Sequence, residues 1–402
     1  MDVAVIGGGA AGFFAAICVK ENYPDAYVVI FEKSRRVLAK VKVSGGGRCN
    51  LTNGNTAIAE VAQAYPRGGR FMKQALRVFS TKQTMEWFES RGIPLMTQSD
   101  NRVFPESQDS QTVVNYFLDE ADRLGITVER GLGVESILPE REQLILNFQD
   151  YRSLSFDKVI AAPGGSPKRE GLTWLKNLGH AIAEPVPSLF TFNVPLDPIT
   201  ELKGVAVEKT LVSIQGTKLK STGPLLITHW GLSGPAVLKL SAFGARFLSE
   251  AFYEFKVLVN WAGEANNEVV LKGLELIVAE NPNKILPNLR PCDLPDRLWR
   301  FLLKKCGLPL TKRWGELGKK GLNKLVSMLC NDLYTVSGKT GFKEEFVTCG
   351  GVSLESIDSK TMQSKACKNL YFAGEIMDID GITGGFNFQA AWTTAFISGK
   401  LK

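Results

Sequence analysis

The chain has 402 residues, of which 44% are hydrophobic and 22% are charged, a composition that is ordinary for a folded enzyme and excludes intrinsic disorder. Lys and Arg outnumber Asp and Glu by 48 to 41, and a net charge of +7 is too small by itself to indicate a nucleic-acid partner. No apolar run approaches the roughly 18 residues of a membrane-spanning helix. A strand-like segment begins at Asp2 and leaves no room ahead of it for a signal peptide of about 15–30 residues. We therefore expect a cytoplasmic protein of about two or three domains, without a membrane anchor.

Seven cysteines and two histidines are scattered along the chain, with no CxxC pair and no Cys/His cluster. Zinc sites need ligands at much tighter spacing, so no metal site is predicted. Reduced thiols in a cytosolic protein are the simplest interpretation of the cysteines.

The N-terminal residues predict a strand, a glycine-rich turn, a helix and a second strand. The apolar run 2–6 suits a central parallel strand, the helix is predicted over 13–21, and the second strand over 27–31 ends at Glu32. Residues 33–70 are predicted to be loop-rich, with the run 44–47, Ser-Gly-Gly-Gly, at their centre. Amphipathic helices follow over 81–90 and 110–124, and then short β segments between 126 and 162.

The pattern changes near Pro185 and reverts near residue 342. Antiparallel strands are predicted around 190–215, 224–228 and 253–261, and helices over about 265–335, one of them at 294–306 before Gly307. An apolar strand at 370–373 and a final helix resemble the N-terminal part. We predict an α/β fold in which 1–187 and 342–402 form one discontinuous Rossmann-like domain. A β subdomain (188–264) and a helical subdomain (265–341) are inserted between its halves.

Gly7, Gly9 and Gly12 form a GxGxxG motif between the first strand and the first helix, and Glu32 follows 20 residues after Gly12. In such a motif the first glycine permits a tight turn, the second lets the backbone approach a pyrophosphate, and the third lets the helix pack against the strand. The helix N-terminus then attracts the phosphates. Glu32 would accept hydrogen bonds from ribose hydroxyls and repel a 2′-phosphate, which favours FAD or NAD over NADP.

A second glycine-rich region near the C-terminus favours FAD over NAD. Gly374 and Glu375 follow an apolar strand, where a residue that contacts a ribitol chain is expected. The run 384–387, Gly-Gly-Phe-Asn, then opens the last helix. The N-terminus of that helix would stabilise negative charge on the pyrimidine ring of a reduced flavin.

The segment 40–53 reads KVKVSGGGRCNLTN, and with the N-terminal glycine motif it closely resembles the bacterial aminoacetone-oxidase-like FAD-binding family, to which bile-acid double-bond reductases have also been assigned. Further similar blocks lie at 102–105, 228–235, 348–352 and 374–390, so the resemblance covers nearly the whole chain. It implies an FAD-binding Rossmann-like domain with a β-barrel-like insert and a helical insert. Pro163 departs from the family's Ala-Thr-Gly-Gly turn, and proline offers no N–H for a contact there.

The motifs and the resemblance together assign a set of residues to the cofactor. They are Gly7, Gly9, Ala10, Ala11, Gly12, Glu32, Lys33, Lys40, Ser44, Gly45, Gly46, Gly47, Arg48, Cys49, Asn50, Val134, Ala162, Gly164, Gly374, Glu375, Gly385 and Asn387. Backbone N–H groups of 44–50 are expected to form an anion nest, with Arg48 adding charge to the pyrophosphate. Cys49 is expected to pack beside the flavin. Because Cys18 is the only thiol close to it in the sequence, no redox-active disulfide is predicted.

His229 precedes the segment 231–235, Gly-Leu-Ser-Gly-Pro. Beside a flavin it would transfer a proton or orient an anionic substrate, and the alternative is a structural histidine. His180 is predicted to be structural. A basic cluster in the helical insert is interpreted as a solvated face, with an RNA-binding surface as the alternative and Trp299 and Trp314 as its only aromatic candidates. The cluster comprises Lys304, Lys305, Lys312, Arg313, Lys319, Lys320 and Lys324.

The sequence thus predicts an FAD-dependent oxidoreductase that acts on a small molecule. Its flavin would be reduced by NAD(P)H or an amine and reoxidised by oxygen or a conjugated double bond. No second Rossmann motif is present for NAD(P)H, which would bind transiently or not be used. One alternative is a flavoprotein that binds or modifies RNA through its basic insert, and another is a flavin-binding protein with a structural role. The main interpretation includes no nucleic-acid or membrane partner and leaves the oligomeric state open.

Overall fold

The computed structural model describes residues 1–264, 266–340 and 347–402. The strands, in chain order, are β1 (Asp2–Ile6), β2 (Tyr27–Glu32), β3 (Thr52–Asn53), β4 (Leu95–Thr97), β5 (Arg102–Pro105), β6 (Thr127–Arg130), β7 (Val134–Glu140), β8 (Gln143–Phe148), β9 (Ser153–Phe156), β10 (Lys158–Ala161), β11 (Ile182–Ser188), β12 (Thr191–Asn193), β13 (Ala206–Ile214), β14 (Lys220–Ile227), β15 (Gly231–Ser233), β16 (Glu254–Asn260), β17 (Asp332–Ser337), β18 (Lys339–Thr340), β19 (Val347–Val352) and β20 (Leu370–Phe372).

The α-helices, in chain order, are α1 (Ala10–Asn22), α2 (Ala39–Gly47), α3 (Ile58–Gln63), α4 (Gly69–Ala75), α5 (Thr81–Glu89), α6 (Ser110–Arg123), α7 (Thr173–Asn177), α8 (Pro235–Phe243), α9 (Ala245–Glu250), α10 (Asn267–Glu280), α11 (Asp296–Lys305), α12 (Gly318–Cys330) and α13 (Phe386–Ser398). In the part of the chain that the structure describes, none of the helices is long and apolar enough to cross a bilayer.

The chain divides into two compact units. The first unit contains residues 1–188 and 347–402, and the second unit contains residues 189–340. The first unit is therefore built from both ends of the chain. The domain boundaries predicted at residue 265 and at 341–342 lie outside the described residues.

A five-stranded parallel sheet with the order β20-β10-β1-β2-β6 forms the centre of the first unit. Val5 of β1 is in register with Ile160 of β10 and Ile30 of β2. Val3 and Val5 belong to a core on one face, and Ala4 and Ile6 belong to a core on the other. Because both faces are covered, the strands are apolar at consecutive positions rather than at alternate ones.

The order of the sheet determines where the glycine-rich turns meet. Strands β20, β10 and β1 are adjacent and parallel, so their carboxyl ends lie at one edge. Gly7 follows β1, Gly164 lies just after β10, and Gly374 lies just after β20. In open parallel sheets this edge is where ligands bind.

Residues 33–70 are rich in loops, as expected, and also contain short helices that the sequence did not indicate. The structure has helices α2 and α3 there and the start of α4. Each is nine residues or shorter, too short to show a clear helical period. Burial of side chains such as Val61 and Met72 in the core stabilises them, because isolated helices of this length are marginal in water.

The second unit contains a seven-stranded antiparallel sheet with the order β17-β16-β13-β14-β15-β12-β18. One core joins side chains of this sheet, such as Val212 and Val257, to helix side chains such as Leu298 and Leu325. The predicted β and helical segments thus share a core, and their division into two subdomains stays a prediction.

A buried carboxylate links α11 to the sheet of the second unit. Asp332 accepts hydrogen bonds from Trp261 Nε1 at 2.9 Å, from Lys305 Nζ at 2.6 Å and from the Tyr334 hydroxyl. The Lys305 ammonium also lies 4.0 Å from the centroid of the Tyr334 ring. Lys305 therefore belongs to this network, although part of its side chain stays exposed.

Candidate cofactor site

The glycine motif forms a turn with an open centre. An ideal Cβ on Gly7, whose φ is +108°, would lie 2.3 Å from the Ala162 carbonyl oxygen, and one on Gly12 would lie 1.9 Å from the Gly7 carbonyl oxygen. A Cβ on Gly9 would meet no atom within 4 Å. The first and third glycines therefore permit close packing within the protein, whereas the second faces space that a ligand can occupy.

The N-terminus of α1 begins at that space. Gly9 is its N-cap residue, no side chain caps it, and its first turn contains no acidic residue. A helix end of this kind offers unsatisfied N–H groups and a positive dipole end, which suits a pyrophosphate. Ala10 and Ala11 form its first turn, and Ala11 is buried.

Glu32 ends β2 beside this turn. Its two carboxylate oxygens accept hydrogen bonds from the N–H groups of Gly8 and Ser34, each at 2.8 Å. These contacts orient the carboxylate and leave further lone pairs for a ribose. The Glu32 carbonyl accepts from the N–H of Leu132, which places Val134, two residues on, in the same neighbourhood. Lys33 is exposed.

The segment 44–50 forms a nest at the end of α2. Gly45, Gly46 and Gly47 all have positive φ, between +59° and +84°, and a Cβ on Gly46 or Gly47 would meet no atom within 4 Å. Ser44 stabilises the bend by donating from its Oγ to the Val41 carbonyl at 2.9 Å. Successive N–H groups in such conformations can bind an anion.

Arg48 and Cys49 follow the nest. The Arg48 guanidinium stacks 4.3 Å from the centroid of Phe104 and donates to the Gly45 carbonyl and the Gln108 side chain. These contacts hold Arg48 against the protein. That its guanidinium contacts a pyrophosphate stays a prediction. Cys49 is fully buried, and burial raises the pKa of its thiol to about 12. The thiol therefore stays protonated, as suits a packing residue.

Two predicted cofactor residues from distant parts of the chain contact each other. Lys40 Nζ lies 2.7 Å from a Glu375 oxygen, and the other Glu375 oxygen accepts from the Thr348 N–H at 2.9 Å. Gly374 has a φ of +76°, and a Cβ there would lie 2.8 Å from the Cβ of Ala11. Gly374 thus permits α1 to approach the end of β20.

The third glycine-rich segment is the N-terminus of α13. Gly385 is its N-cap residue, with no side-chain cap and no acidic residue in the first turn. With the Asn50 amide oriented so that its oxygen faces Gly385, it accepts from the Gly385 N–H at 3.0 Å. The Asn387 side chain donates to and accepts from the backbone of Gly381, at 2.9 and 2.8 Å. These contacts place Asn50, Gly385 and Asn387 together.

The loop before α13 is held by residues that the sequence did not indicate. Asp380 is fully buried and forms a two-point ion pair with Arg67, whose Nε lies 2.6 Å from Oδ1. Ser188 Oγ donates to the second oxygen of Asp380 at 2.8 Å. The Tyr65 hydroxyl donates to the Phe386 carbonyl at 2.8 Å. No local motif marks these residues, because the ion pair joins positions 313 residues apart.

The turn after β10 keeps its close approach to Gly7 although it contains Pro163. Ala162 donates its N–H to the Ile6 carbonyl at 2.8 Å. A Cβ on Gly7 would lie 2.7 Å from the Pro163 Cα, and Gly164 has a φ of +79° with open space beside it. Proline at 163 therefore removes an N–H without opening the turn.

The two histidines of the chain have different surroundings. His229 and Trp230 form an exposed turn between β14 and β15, closed by the Thr228 N–H donating to the Gly231 carbonyl at 2.8 Å, with their ring centroids 4.5 Å apart. In contrast, His180 of the first unit is buried and bonded to the Leu175 carbonyl and Ser364 Oγ. His180 has the contacts of a structural histidine.

Trp299 and Trp314, the aromatic candidates for an RNA surface, are fully buried. Their rings stack with centroids 6.1 Å apart, and Trp299 Nε1 donates to the Leu286 carbonyl at 2.8 Å. The suggestion that they present rings to a nucleic acid is therefore wrong. Trp299 lies on the apolar side of α11, where the helical period places a core residue.

The first unit has the features that a dinucleotide cofactor requires. The open space at Gly9, the uncapped start of α1 and the Glu32 carboxylate beside them fit the ADP half, and the α13 N-terminus fits an anionic ring. Among residues 1–264, 266–340 and 347–402, no group of three or more His, Cys, Asp or Glu side chains is arranged to hold a metal. Fold and site thus define a Rossmann-type flavoprotein.

The chain belongs to the HI0933-like Rossmann-domain family, an FAD-binding oxidoreductase family whose model matches residues 1–401. It is 28% identical to a 3-dehydro-bile acid delta(4,6)-reductase of Clostridium scindens, over 99% of this chain and 98% of the relative. It is also 28% identical to a ribosomal RNA dihydrouridine synthase of Escherichia coli, over 98% and 96%. The predicted relationship to bile-acid reductases is confirmed, and that to aminoacetone oxidase stays a prediction.

The fold is shared with the crystal structure of a 3-ketosteroid delta1-dehydrogenase from Sterolibacterium denitrificans. The TM-score is 0.50 at 12% identity, covering 99% of this chain and 98% of the other. At this identity the comparison supports the fold alone.

Replacing Glu32 with alanine is expected to weaken FAD binding by about ten- to a hundredfold, since each hydrogen bond to a charged group contributes about 1.5–3 kcal/mol. Titration calorimetry of the cofactor-free protein with FAD measures the change. The control is Glu60→Ala, which removes an exposed carboxylate bonded to Asn55. Equal FAD affinity in Glu32→Ala and Glu60→Ala would contradict the assignment of Glu32.

Proposed function

We propose that the protein is an FAD-dependent reductase that saturates a carbon–carbon double bond conjugated to a carbonyl group. The observation that carries the proposal is the FAD-type site of the first unit in a chain whose relatives share this reaction. A 3-dehydro-Δ4,6 bile acid is a ketone conjugated to two double bonds. Dihydrouridine differs from uridine by saturation of a ring double bond conjugated to a carbonyl. The common chemistry is addition of a hydride and a proton to an electron-poor double bond.

FAD, when bound, supplies the hydride-transfer chemistry. The residues around it bind and orient it. The α1 N-terminus and the nest at 45–47 would hold the phosphates, and Glu32 the ribose. Lys40 and Thr348 hold the Glu375 carboxylate in place for a ribitol hydroxyl. The α13 N-terminus would favour negative charge on the ring.

In the proposed reaction a reduced nicotinamide supplies the two electrons that the double bond gains. NAD(P)H gives up a hydride and becomes NAD(P)⁺, and the substrate gains that hydride at the carbon made electron-poor by conjugation. The adjacent carbon gains a proton. His229, exposed in its turn, is the candidate proton donor.

The test of this function is an anaerobic stopped-flow experiment on the FAD-loaded protein. We expect NADH or NADPH to bleach the flavin, and a conjugated enone or a uridine-containing RNA to restore its colour. Mass spectrometry should find two hydrogens added to the acceptor. Bleaching by a small amine alone, with colour restored by oxygen and not by either acceptor, would replace the reductase with an oxidase.

RNA as the substrate is a second candidate. Two relatives support it, the E. coli protein above and one from Haemophilus influenzae, 27% identical over 98% of this chain and 96% of the relative, which is also named a ribosomal RNA dihydrouridine synthase. The distribution of charge between the two units is an independent observation in favour of RNA. Product analysis after incubation with uridine-containing RNA and with a steroid enone separates the two candidates.

Replacing His229 with glutamine is expected to slow acceptor reduction by about a hundredfold or more, the usual contribution of a general acid, while FAD stays bound. The stopped-flow rates of flavin reduction and reoxidation measure this separately. A structural role would change thermal stability instead. The thermal unfolding temperature is therefore measured for His229→Gln and for the buried control His180→Gln. An unchanged rate of flavin reoxidation in His229→Gln would show that His229 is not the proton donor.

A further inference from the structure

The net charge of the protein lies entirely in the second unit. Residues 189–340 contain 20 Lys and Arg against 13 Asp and Glu, a formal charge of +7, whereas the rest of the chain contains 28 of each. The charge is concentrated further within residues 284–324, which contain 11 Lys and Arg against three Asp and Glu. The modest charge of the whole chain therefore conceals a neutral unit and a strongly basic segment.

Most cations of this basic segment have no carboxylate partner. Arg300 pairs with Asp296, and Lys305 pairs with Asp332. For the other nine, no carboxylate oxygen lies within 4.0 Å of the charged side-chain nitrogens in the stretches of chain that the structure covers, and the Glu316 carboxylate bonds only the backbone N–H of Arg313. They are Lys284, Arg290, Arg297, Lys304, Lys312, Arg313, Lys319, Lys320 and Lys324. All but Lys312, which is half-buried, are exposed.

Tertiary contacts bring cations from different parts of the basic segment close together in two places. Ile285 and Arg313 form an antiparallel bridge, with the Trp314 N–H donating to the Lys284 carbonyl at 2.9 Å. The end of α11 meets α12 where Cys306 Sγ donates to the Lys324 carbonyl at 3.9 Å. Along α12, five exposed residues line one shallow groove: Lys319, Lys320, Asn323, Lys324 and Ser327.

The position of two lysines is unfavourable for the helix itself. Lys319 and Lys320 lie in the first turn of α12, where the helix dipole is positive, and that turn contains no acidic residue and no side-chain cap. Stability would favour Asp or Glu there. The arrangement becomes favourable when an extended anion lies along the groove.

We propose that the basic side chains of the second unit, at 284, at 312–313 and along the 319–327 face of α12, bind the phosphate backbone of RNA. The inference rests on the proposed reductase function and names RNA as the molecule that brings the conjugated ring. Because Trp299 and Trp314 are buried, this surface offers lysine, arginine, asparagine and serine side chains without those two rings for base stacking. Recognition here is therefore of phosphates and shape rather than of base sequence.

The test is fluorescence anisotropy of the FAD-loaded protein with a labelled RNA hairpin of about 30 nucleotides, in 50–300 mM KCl. The variant is the triple Lys319→Glu, Lys320→Glu, Lys324→Glu. The matched control is Lys73→Glu, Lys176→Glu, Lys360→Glu, which makes the same charge change on exposed lysines of the first unit. We expect the α12 triple variant to lose about a hundredfold or more in RNA affinity at 100 mM KCl. The slope of the logarithm of affinity against the logarithm of salt concentration should fall in magnitude by about two to three, because each lost phosphate contact removes about one unit of slope. The RNA affinity of the control variant should stay within about twofold of that of the native protein.

Two further arms complete the test. A hairpin of scrambled sequence should bind with the same affinity. Vesicles with anionic phospholipid should bind no better than neutral ones. Absence of salt-dependent RNA binding, equal losses in both triple variants, or preference for anionic vesicles would each overturn the proposal. Reduction of a small enone by the native protein is measured in parallel, so that failure of the RNA surface and failure of the reductase function are told apart.

Discussion

Replacing Gly9 with valine is expected to abolish FAD retention while leaving the fold intact. Gly9 has φ −95° and ψ −168°, which any residue adopts, and an ideal Cβ there meets no protein atom within 4 Å. The valine side chain would instead occupy the space of the pyrophosphate. Each lost phosphate contact of the α1 N–H groups is worth about 1.5–3 kcal/mol, so we expect affinity to fall by more than about a hundredfold.

The ratio of absorbance at flavin and protein wavelengths, titration with FAD and thermal unfolding measure the effect of Gly9→Val. The control is Gly12→Ala, because a Cβ there would lie 1.9 Å from the Gly7 carbonyl oxygen. That variant should lose about 1–3 kcal/mol of unfolding free energy, as overpacked sites do. A Gly9→Val protein that purifies with full flavin would disprove the assignment of the cofactor to this turn.

Replacing Arg67 with methionine is expected to destabilise the first unit by about 3–5 kcal/mol, the cost of leaving a buried charge without its partner. Asp380 is fully buried, and Arg67 binds both of its oxygens. Burial raises the pKa of Asp380, and the hydrogen bonds and charge of Arg67 oppose this rise. Without Arg67 the pKa of Asp380 rises further, and the folded protein takes up a proton there.

The destabilisation of Arg67→Met should depend on pH with a definite sign. In the unfolded chain an aspartate titrates near about 3.9. Between this value and the raised pKa of the folded variant, the folded state binds more protons than the unfolded state, so the free energy of unfolding falls as pH rises. The deficit relative to the native protein should therefore be smallest near pH 4 and largest at neutral pH.

Chemical denaturation between about pH 4 and 8 measures this dependence. The double variant Arg67→Met, Asp380→Asn removes both charges and should recover more than half of the lost stability at neutral pH. The control Arg152→Met breaks the exposed ion pair with Asp150 and should cost no more than about 1 kcal/mol. A pH-independent deficit in Arg67→Met would mean that packing, and not the buried charge, is responsible.

The local motifs of the site were predictable because each one is contiguous in the chain. The turn 7–12, the acidic end of β2 at Glu32 and the nest at 45–47 each depend on residues within a few positions of one another. Gly9 and Gly12 have opposite surroundings, one open and one crowded. The motif predicts both, because its spacing follows the geometry of a strand, a turn and a helix.

Contacts between distant segments could not be predicted. Lys40 and Glu375 were each assigned to the cofactor, but their ion pair across 335 residues depends on the order of β1, β10 and β20. Arg67 and Asp380 carry no motif at all. Periodicity also fails in short helices, as in 33–70, where tertiary packing rather than local pattern stabilises the elements.

The sequence by itself determined the class of cofactor site, since glycine spacing and a terminal carboxylate are local properties of a βαβ unit. It also determined the total charge. Only the tertiary structure decided where that charge lies, which lysines pair with carboxylates, and that Trp299 and Trp314 are core residues. The physical reason is that burial and ion pairing depend on which segments meet in space, and those segments are far apart along the chain.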